Sequence, residues 1–142
     1  MLLVQAAQEA QVVGTVNWLA VLVATVSAFA VGFLWYGPVL GRTWMRASGM
    51  TEEQARQGNM PLVFGLAFVL QLVATTVLAN FIAGDATVLF GLLAGGAVGL
   101  FLVAPALGIV YLFERRPLAH WLVNAGYHVV TFAVIGAILG AF

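Results

Sequence analysis

The chain has 142 residues, of which 63% are hydrophobic and only 7% are charged, and its formal net charge is zero. Soluble domains carry about 45–50% apolar and about 25% charged residues, so this composition excludes an ordinary soluble domain. The balanced charge gives no electrostatic reason to expect nucleic acid. Cysteine is absent, which excludes a disulfide, a thiolate metal site and covalently attached haem.

Four segments contain no Asp, Glu, Lys or Arg. An α-helix needs about 20 apolar residues to cross a bilayer, and an ionised side chain near the bilayer centre costs at least about 2.5 kcal/mol. The segments therefore predict four membrane-spanning helices in one domain, residues 1–142. The spans cover about residues 16–36, 61–83, 88–113 and 118–142.

All five arginines lie in the first and third connections, within residues 37–60 and 114–117. Because positively charged loops are retained on the cytoplasmic side, we expect these two loops in the cytoplasm and both termini outside. The predicted fold is an all-α antiparallel bundle of four transmembrane helices. Its expected location is a membrane that it crosses several times.

The first connection carries its own helix signals. Pro38 follows Gly37 and should end the first span, since proline cannot continue a helix. Thr51 and Gln54 have the spacing of a capping box, in which each side chain binds a free backbone N–H of the other residue. We therefore predict a short interfacial helix that ends near Gly58.

The remaining span ends are marked by prolines and one acidic residue. Pro61 and Pro117 suit first-turn positions of the second and fourth spans, where a missing N–H does no harm. Asp85 is expected to cap the third span. Pro105 lies inside that span and predicts a kink, which is either purely structural or part of a transport site.

Small residues recur at four-residue spacing in several spans. In lipid, such rows let two helix backbones approach closely. The rows either pack the four helices of one chain together or, on the third span, form a subunit interface. The candidate packing residues are Ala20, Ala24, Ala28, Gly32, Gly91, Gly95 and Gly99.

Polar residues within the spans are candidates for chemistry. His120, Asn124, His128 and Thr131 follow at spacings that place them along one face of the fourth span. Gln71 lies near the middle of the second span, and we expect it to pair with His128 or Asn124.

His128 has three interpretations: a satisfied structural residue, a proton or substrate contact, or a ligand to a metal or haem. His120 is about 12 Å away along the helix, too far to share one metal ion. No metal or cofactor is therefore predicted.

Aromatic residues and arginines cluster where the first span meets its loop. One interpretation is an aromatic belt at the membrane surface. The other is a cytoplasmic pocket whose arginines hold an anionic lipid head group or a small acid. The candidate pocket residues are Trp35, Tyr36, Pro38, Arg42, Trp44 and Arg46.

Several short motifs together resemble one known family. They are Asn17-Trp18-Leu19-Ala20, Leu34-Trp35-Tyr36-Gly37-Pro38, Trp44-Met45-Arg46 and Asn124-Ala125-Gly126-Tyr127-His128. The chain resembles the bacterial "domain of unknown function 1761" family over nearly its whole length. The resemblance implies a small four-helix membrane protein, a bacterial cytoplasmic membrane as its location, and no particular activity. It marks as candidate positions Asn17, Trp35, Tyr36, Pro38, Trp44, Asn124 and His128.

No catalytic constellation is recognisable, so an enzyme is the least favoured class. The first hypothesis is an accessory or assembly subunit, or a homo-oligomeric scaffold. Its partners would be membrane lipids and either further copies or other membrane subunits. The alternative is an oligomeric transporter or channel for ions or small molecules, with a polar path along the fourth span.

Overall fold

The computed structural model describes residues 1–6, 16–82 and 86–142, and it confirms the predicted all-α fold. Four helices are long and apolar enough to cross a membrane. Residues 2–6 are also helical, and no strand occurs within the described ranges. The helices after residue 15 are α1 (Trp18–Val39), α2 (Gly41–Ser48), α3 (Glu52–Arg56), α4 (Met60–Phe81), α5 (Val88–Phe113) and α6 (Leu118–Ala141).

Side-chain caps start three of the long helices. The side chains of Asn17, Asn59 and Thr87 accept hydrogen bonds from backbone N–H groups in the first turns of α1, α4 and α5. Such caps satisfy donors that have no partner inside the helix. Thr87 therefore takes the role predicted for Asp85, which lies outside the described residues. Pro117 directly precedes α6 instead of occupying its first turn.

Two short helices, and not one, connect α1 to α4. Gly49, at φ 73°, ends α2 in the left-handed conformation that glycine adopts without strain. The capping box of Thr51 and Gln54 is present at the start of α3, with both of its hydrogen bonds formed. The predicted interfacial helix is thus α3, and α2 was missed.

Two prolines are accommodated by π-helical turns. The first span does not end at Pro38: it continues to Val39, and Leu40 N donates to Trp35 O at 2.8 Å, five residues back. A second π turn, Gly99–Val103, directly precedes the α-helical turn that contains Pro105. A π turn inserts one residue into the hydrogen-bond ladder, so it can absorb the bond that proline cannot make.

The helix α6 lies between α1 and α5 and contacts both, whereas α4 packs mainly against α1. The contact between α5 and α6 is made by backbones. A Cβ built on Gly91 or Gly95 would overlap the carbonyl oxygen of Gly136 or Phe132, respectively. The glycine row of α5 therefore faces α6 of the same chain, and its interpretation as a subunit interface is wrong.

The α1 row also faces its own chain. Ala20, Ala24 and Ala28 are at most 1% exposed. A Cβ built on Gly32 would come within 3.4 Å of the Tyr127 ring of α6. All the small residues proposed for helix packing thus lie at contacts between helices of one chain.

The buried core lies at the end of the bundle away from the arginine-bearing connections. There, Leu78 and Ala79 of α4 pack with Ala24 of α1 and Ile135 of α6. At the other end α4 is exposed, with Leu62, Val63 and Phe64 54–58% accessible. The helix α4 is therefore held closely at one end only, and space remains between it and α1 at the arginine end.

Candidate functional site

Asn124 joins three helices near the arginine end of the bundle. Its Oδ1 accepts a hydrogen bond from the Tyr36 hydroxyl of α1 at 2.6 Å. Its Nδ2 donates to the Tyr111 hydroxyl of α5 at 3.0 Å. Asn124 itself is 9% exposed on α6, so most of its side chain is buried among its neighbours. A buried amide that uses both ends in this way fixes the spacing of its partners.

Aromatic rings surround the two hydrogen bonds of Asn124. Tyr111 stacks on His120, with ring centroids 4.9 Å apart. Tyr36 meets Trp44 of α2 edge-on at 5.9 Å and lies 5.2 Å from the Tyr127 ring. Rings from α1, α2, α5 and α6 therefore pack together around the hydroxyls of Tyr36 and Tyr111.

These side chains line a cavity of about 600 Å³, here named the polar cleft. It lies where the ends of α1, α5 and α6 meet α2 and α3. Its volume is within the usual range for small-molecule sites. The lining residues are Tyr36, Trp44, Met45, Ser48, Met50, Ala55, Tyr111, Arg116, His120 and Asn124.

The polar cleft contains hydrogen-bonding capacity that the protein does not use. His120 is 6% exposed, and its Nδ1 has no hydrogen-bond partner in the described part of the chain. Arg116 forms an exposed ion pair with Glu114 through Nε at 2.9 Å, and a guanidinium has five N–H donors in all. Of the ten lining residues, only Arg116 carries a full charge, and it is positive.

The polar cleft combines residues from two separate sequence predictions. Tyr36 and Trp44 come from the predicted pocket at the end of the first span, and His120 and Asn124 come from the polar face of the fourth. The sequence gives no distance between the two sets, because Tyr36 and Asn124 are 88 positions apart.

Other members of the predicted pocket lie elsewhere. Trp35 donates its indole N–H to Val123 O at 2.9 Å and thereby ties α1 to α6. Arg46 borders a separate, smaller groove beside Pro117, and Arg42 does not line the polar cleft. Pro38 lies within the π turn of α1. The expected pocket therefore forms with Tyr36 and Trp44 but without Arg42 and Arg46, and Arg116 is the arginine that lines it.

The predicted pairing of Gln71 with α6 is wrong. Gln71 Nε2 donates to Thr75 Oγ1 of its own helix at 3.5 Å. Asn124 has its two tyrosine partners, and His128 packs edge-on against the neighbouring Tyr127 ring. Because α4 diverges from the bundle at the arginine end, its polar side chains find local partners instead.

Two polar side chains lie deeper in α6 than the polar cleft. His128 Nδ1 and Thr131 Oγ1 are buried without a hydrogen-bond partner among the described residues, and Thr131 is fully buried. Within the same ranges, no three His, Asp or Glu side chains converge in a way that could hold a metal ion.

A second cavity, here named the apolar groove, lies between α1 and the exposed part of α4. Its volume is about 630 Å³. Phe29 of α1 lines this cavity, and its ring centroid lies 5.9 Å from that of Phe68 of α4. The lining residues are Phe29, Gly32, Phe33, Tyr36, Gly37, Val63, Phe64, Ala67 and Tyr127. Tyr36 is the residue common to both cavities.

Sequence reasoning missed several residues of the polar cleft, chiefly Tyr111, Ser48 and Ala55. Tyr111 is a polar side chain at the arginine end of a span, three residues before Glu114, and that position was a usable signal. Ser48 and Ala55 carry no such signal, because their place in the wall depends on how α2 and α3 fold back over the bundle.

Searches among characterised proteins and among solved structures found no match. A family model described as "Protein of unknown function (DUF1761)" matches residues 19–140. That range includes all four membrane-length helices apart from Trp18, the first residue of α1, and Ala141, the last residue of α6. The resemblance seen in the sequence motifs is thereby confirmed, and the chain belongs to the DUF1761 family of proteins of unknown function.

Proposed function

We propose that this protein is a membrane-embedded binding protein whose polar cleft receives a small polar or anionic group at the arginine-bearing end of the bundle. The observation that carries the proposal is the convergence of α1, α5 and α6 on Asn124, beside a buried His120 nitrogen that has no partner among the described residues. A concave site with a few fixed polar groups and aromatic walls is the usual form of a small-molecule site.

The chemistry of the lining favours an acceptor-rich ligand. Arg116 supplies N–H donors, and His120 can donate from one nitrogen in its neutral form. A carboxylate or phosphate group would accept from both. Since the full charge in the lining is positive, an anion is favoured over a cation.

The scaffold hypothesis loses its main support in this arrangement. It depended on a surplus of small-residue rows, and those of α1 and α5 are occupied by helices of the same chain. An accessory role would need a different contact surface. We therefore place ligand binding ahead of assembly or scaffolding.

Transport is the second candidate, and one observation favours it. His128 and Thr131 continue inward from the polar cleft along α6, and each has a buried polar atom without a partner in the part of the chain that the structure describes. Intramembrane ionisable residues commonly mark substrate or ion pathways. A transporter would use the polar cleft as its entrance, so binding is the first property to test in either case.

Cysteine labelling tests the proposal directly, because the natural chain has no cysteine. Ala55→Cys places one thiol in the cleft wall, and Gln57→Cys places a matched thiol on the exposed surface nearby. We expect a small-molecule and lipid extract of the host cells to slow maleimide labelling of the first variant in reconstituted protein and to leave the second unchanged. Equal labelling rates with and without extract at both positions would refute binding in the cleft.

A further inference from the structure

The polar cleft and the apolar groove adjoin at Tyr36, which lines both. The Tyr36 hydroxyl points to Asn124 on the cleft side, while its ring lies 5.2 Å from Tyr127, which lines the groove. We infer that the ligand is a single-chain anionic amphiphile, with its head group in the polar cleft and its acyl chain in the apolar groove. This inference rests on the proposed function and specifies the class of ligand.

The two cavities differ in the way an amphiphile requires. The polar cleft offers Arg116, His120 and Asn124 to a head group. The apolar groove is lined by aromatic and aliphatic carbon, apart from the tyrosine hydroxyls. Because this lining is as apolar as the surrounding lipid, the acyl chain of the ligand belongs in the groove, where van der Waals packing replaces its contacts with lipid.

The apolar groove also has a route from the bilayer. Phe33, Val63 and Phe64 line it and are 79%, 54% and 58% exposed, so its outer wall faces lipid. The groove exists because α4 is packed into the core only at its other end, at Leu78 and Ala79. A lipid-soluble ligand can therefore enter sideways, with its head group at the membrane surface.

The volume of the apolar groove and the positive charge in the polar cleft indicate which ligand fits. The apolar groove, at about 630 Å³, is a single channel between two helices and suits one acyl chain. Arg116 suits an anionic head, which is either the carboxylate of a fatty acid or the phosphate of a lysophospholipid. Both sources share one chemistry, an anionic head on a single chain.

A photoreactive palmitate with a diazirine at mid-chain is the probe. We expect it to label the protein at Phe29, Phe33, Phe64 or Ala67, as located by peptide mass spectrometry. Excess palmitate or lysophosphatidate should compete, and the more effective of the two identifies the head group. Labelling spread over the other lipid-facing surfaces, or equal competition by uncharged hexadecanol, would overturn the inference.

Two tryptophan substitutions on α4 provide the matched comparison. Ala67→Trp fills the apolar groove and should lower labelling by at least about tenfold. Val69→Trp adds the same side chain at a position that is 53% exposed and does not line the groove, so labelling should be unchanged. Unchanged labelling in both variants would also overturn the inference. The labelled positions in the natural chain supply a result that does not depend on how the variants fold.

A third variant separates failure of this inference from failure of the proposed function. Ala55→Trp fills the polar cleft and leaves the apolar groove untouched. Loss of labelling in both Ala55→Trp and Ala67→Trp supports the amphiphile. Loss in Ala55→Trp alone overturns the groove assignment while cleft binding stands. Loss in neither variant overturns the amphiphile inference, and the maleimide protection of Ala55→Cys then decides the proposed function separately.

Discussion

The Tyr36 hydroxyl donates a 2.6 Å hydrogen bond to Oδ1 of Asn124 and so joins the last turns of α1 to the first half of α6. The same amide donates to Tyr111 of α5. One short polar side chain therefore sets the distance between the three helices whose ends form the polar cleft. The account predicts that this contact contributes both to stability and to the shape of the site.

A double-mutant cycle measures the contact between Tyr36 and Asn124. Tyr36→Phe removes the hydroxyl and leaves the Asn124 oxygen without that donor. Hydrogen bonds between membrane helices contribute about 0.6 kcal/mol on average and up to about 1.7 kcal/mol. Because this bond is short and buried, we expect a coupling energy towards the upper value with Asn124→Ala, measured by unfolding in mixed micelles. A coupling energy indistinguishable from zero would contradict the proposed role of Asn124.

The backbone contact between α5 and α6 is tested by two alanine substitutions one residue apart. A Cβ on Gly95 would overlap the Phe132 carbonyl oxygen, whereas a Cβ on Gly96 would meet the Ala133 Cβ at an ordinary 3.6 Å. Gly95→Ala should therefore lower the free energy of unfolding by about 1–3 kcal/mol, the usual range for overpacking. Gly96→Ala should change it by less than about 0.5 kcal/mol.

Thermal unfolding of both alanine variants in one detergent gives the comparison. Equal stability of Gly95→Ala and Gly96→Ala would show that α5 and α6 are farther apart than described. That result would also make the glycine row of α5 available again to a second subunit.

The sequence was sufficient for the four membrane-length helices but not for the site. Charge-free segments identify four membrane-length helices because lipid excludes ionised side chains over a fixed thickness. The Thr51 capping box was readable because its residues are close in sequence. The hydrogen bonds that link Tyr36, Asn124 and Tyr111 could not be predicted, because they depend on which helices are neighbours and on how each helix is rotated about its axis. Gln71 was misassigned for the same reason: nothing local indicates that α4 diverges.

The α3 helix forms part of the cleft wall and depends on its cap. Thr51 accepts from Gln54 N at 3.2 Å, and Thr51 N donates to Gln54 Oε1 at 3.0 Å. Thr51→Ala removes the first bond and should destabilise α3 locally by about 1 kcal/mol. Hydrogen exchange should then be faster at the backbone amides of residues 52–57 and unchanged in α6. Unchanged exchange in α3 would mean that packing, and not the cap, holds this wall.

The orientation of the chain is a prediction that single cysteines can test. Glu53→Cys lies in the arginine-bearing first connection, and Phe142→Cys lies at the C-terminal end. Because arginine-bearing loops stay in the cytoplasm, a membrane-impermeant maleimide added to intact cells should label the cysteine at position 142. It should reach the cysteine at position 53 only after lysis. The opposite pattern would place the polar cleft on the outer side of the membrane.

The central claim is that the polar cleft is a binding site, and native mass spectrometry of protein gently extracted from its own membrane tests it most directly. The account predicts one small molecule retained per chain, lost in Ala55→Trp and kept in the matched surface variant Gln57→Trp. A ligand-free natural chain, or a ligand that Ala55→Trp retains equally well, would contradict the claim. A second protein bound at fixed stoichiometry, without any small molecule, would instead support the hypothesis that this protein is an accessory subunit.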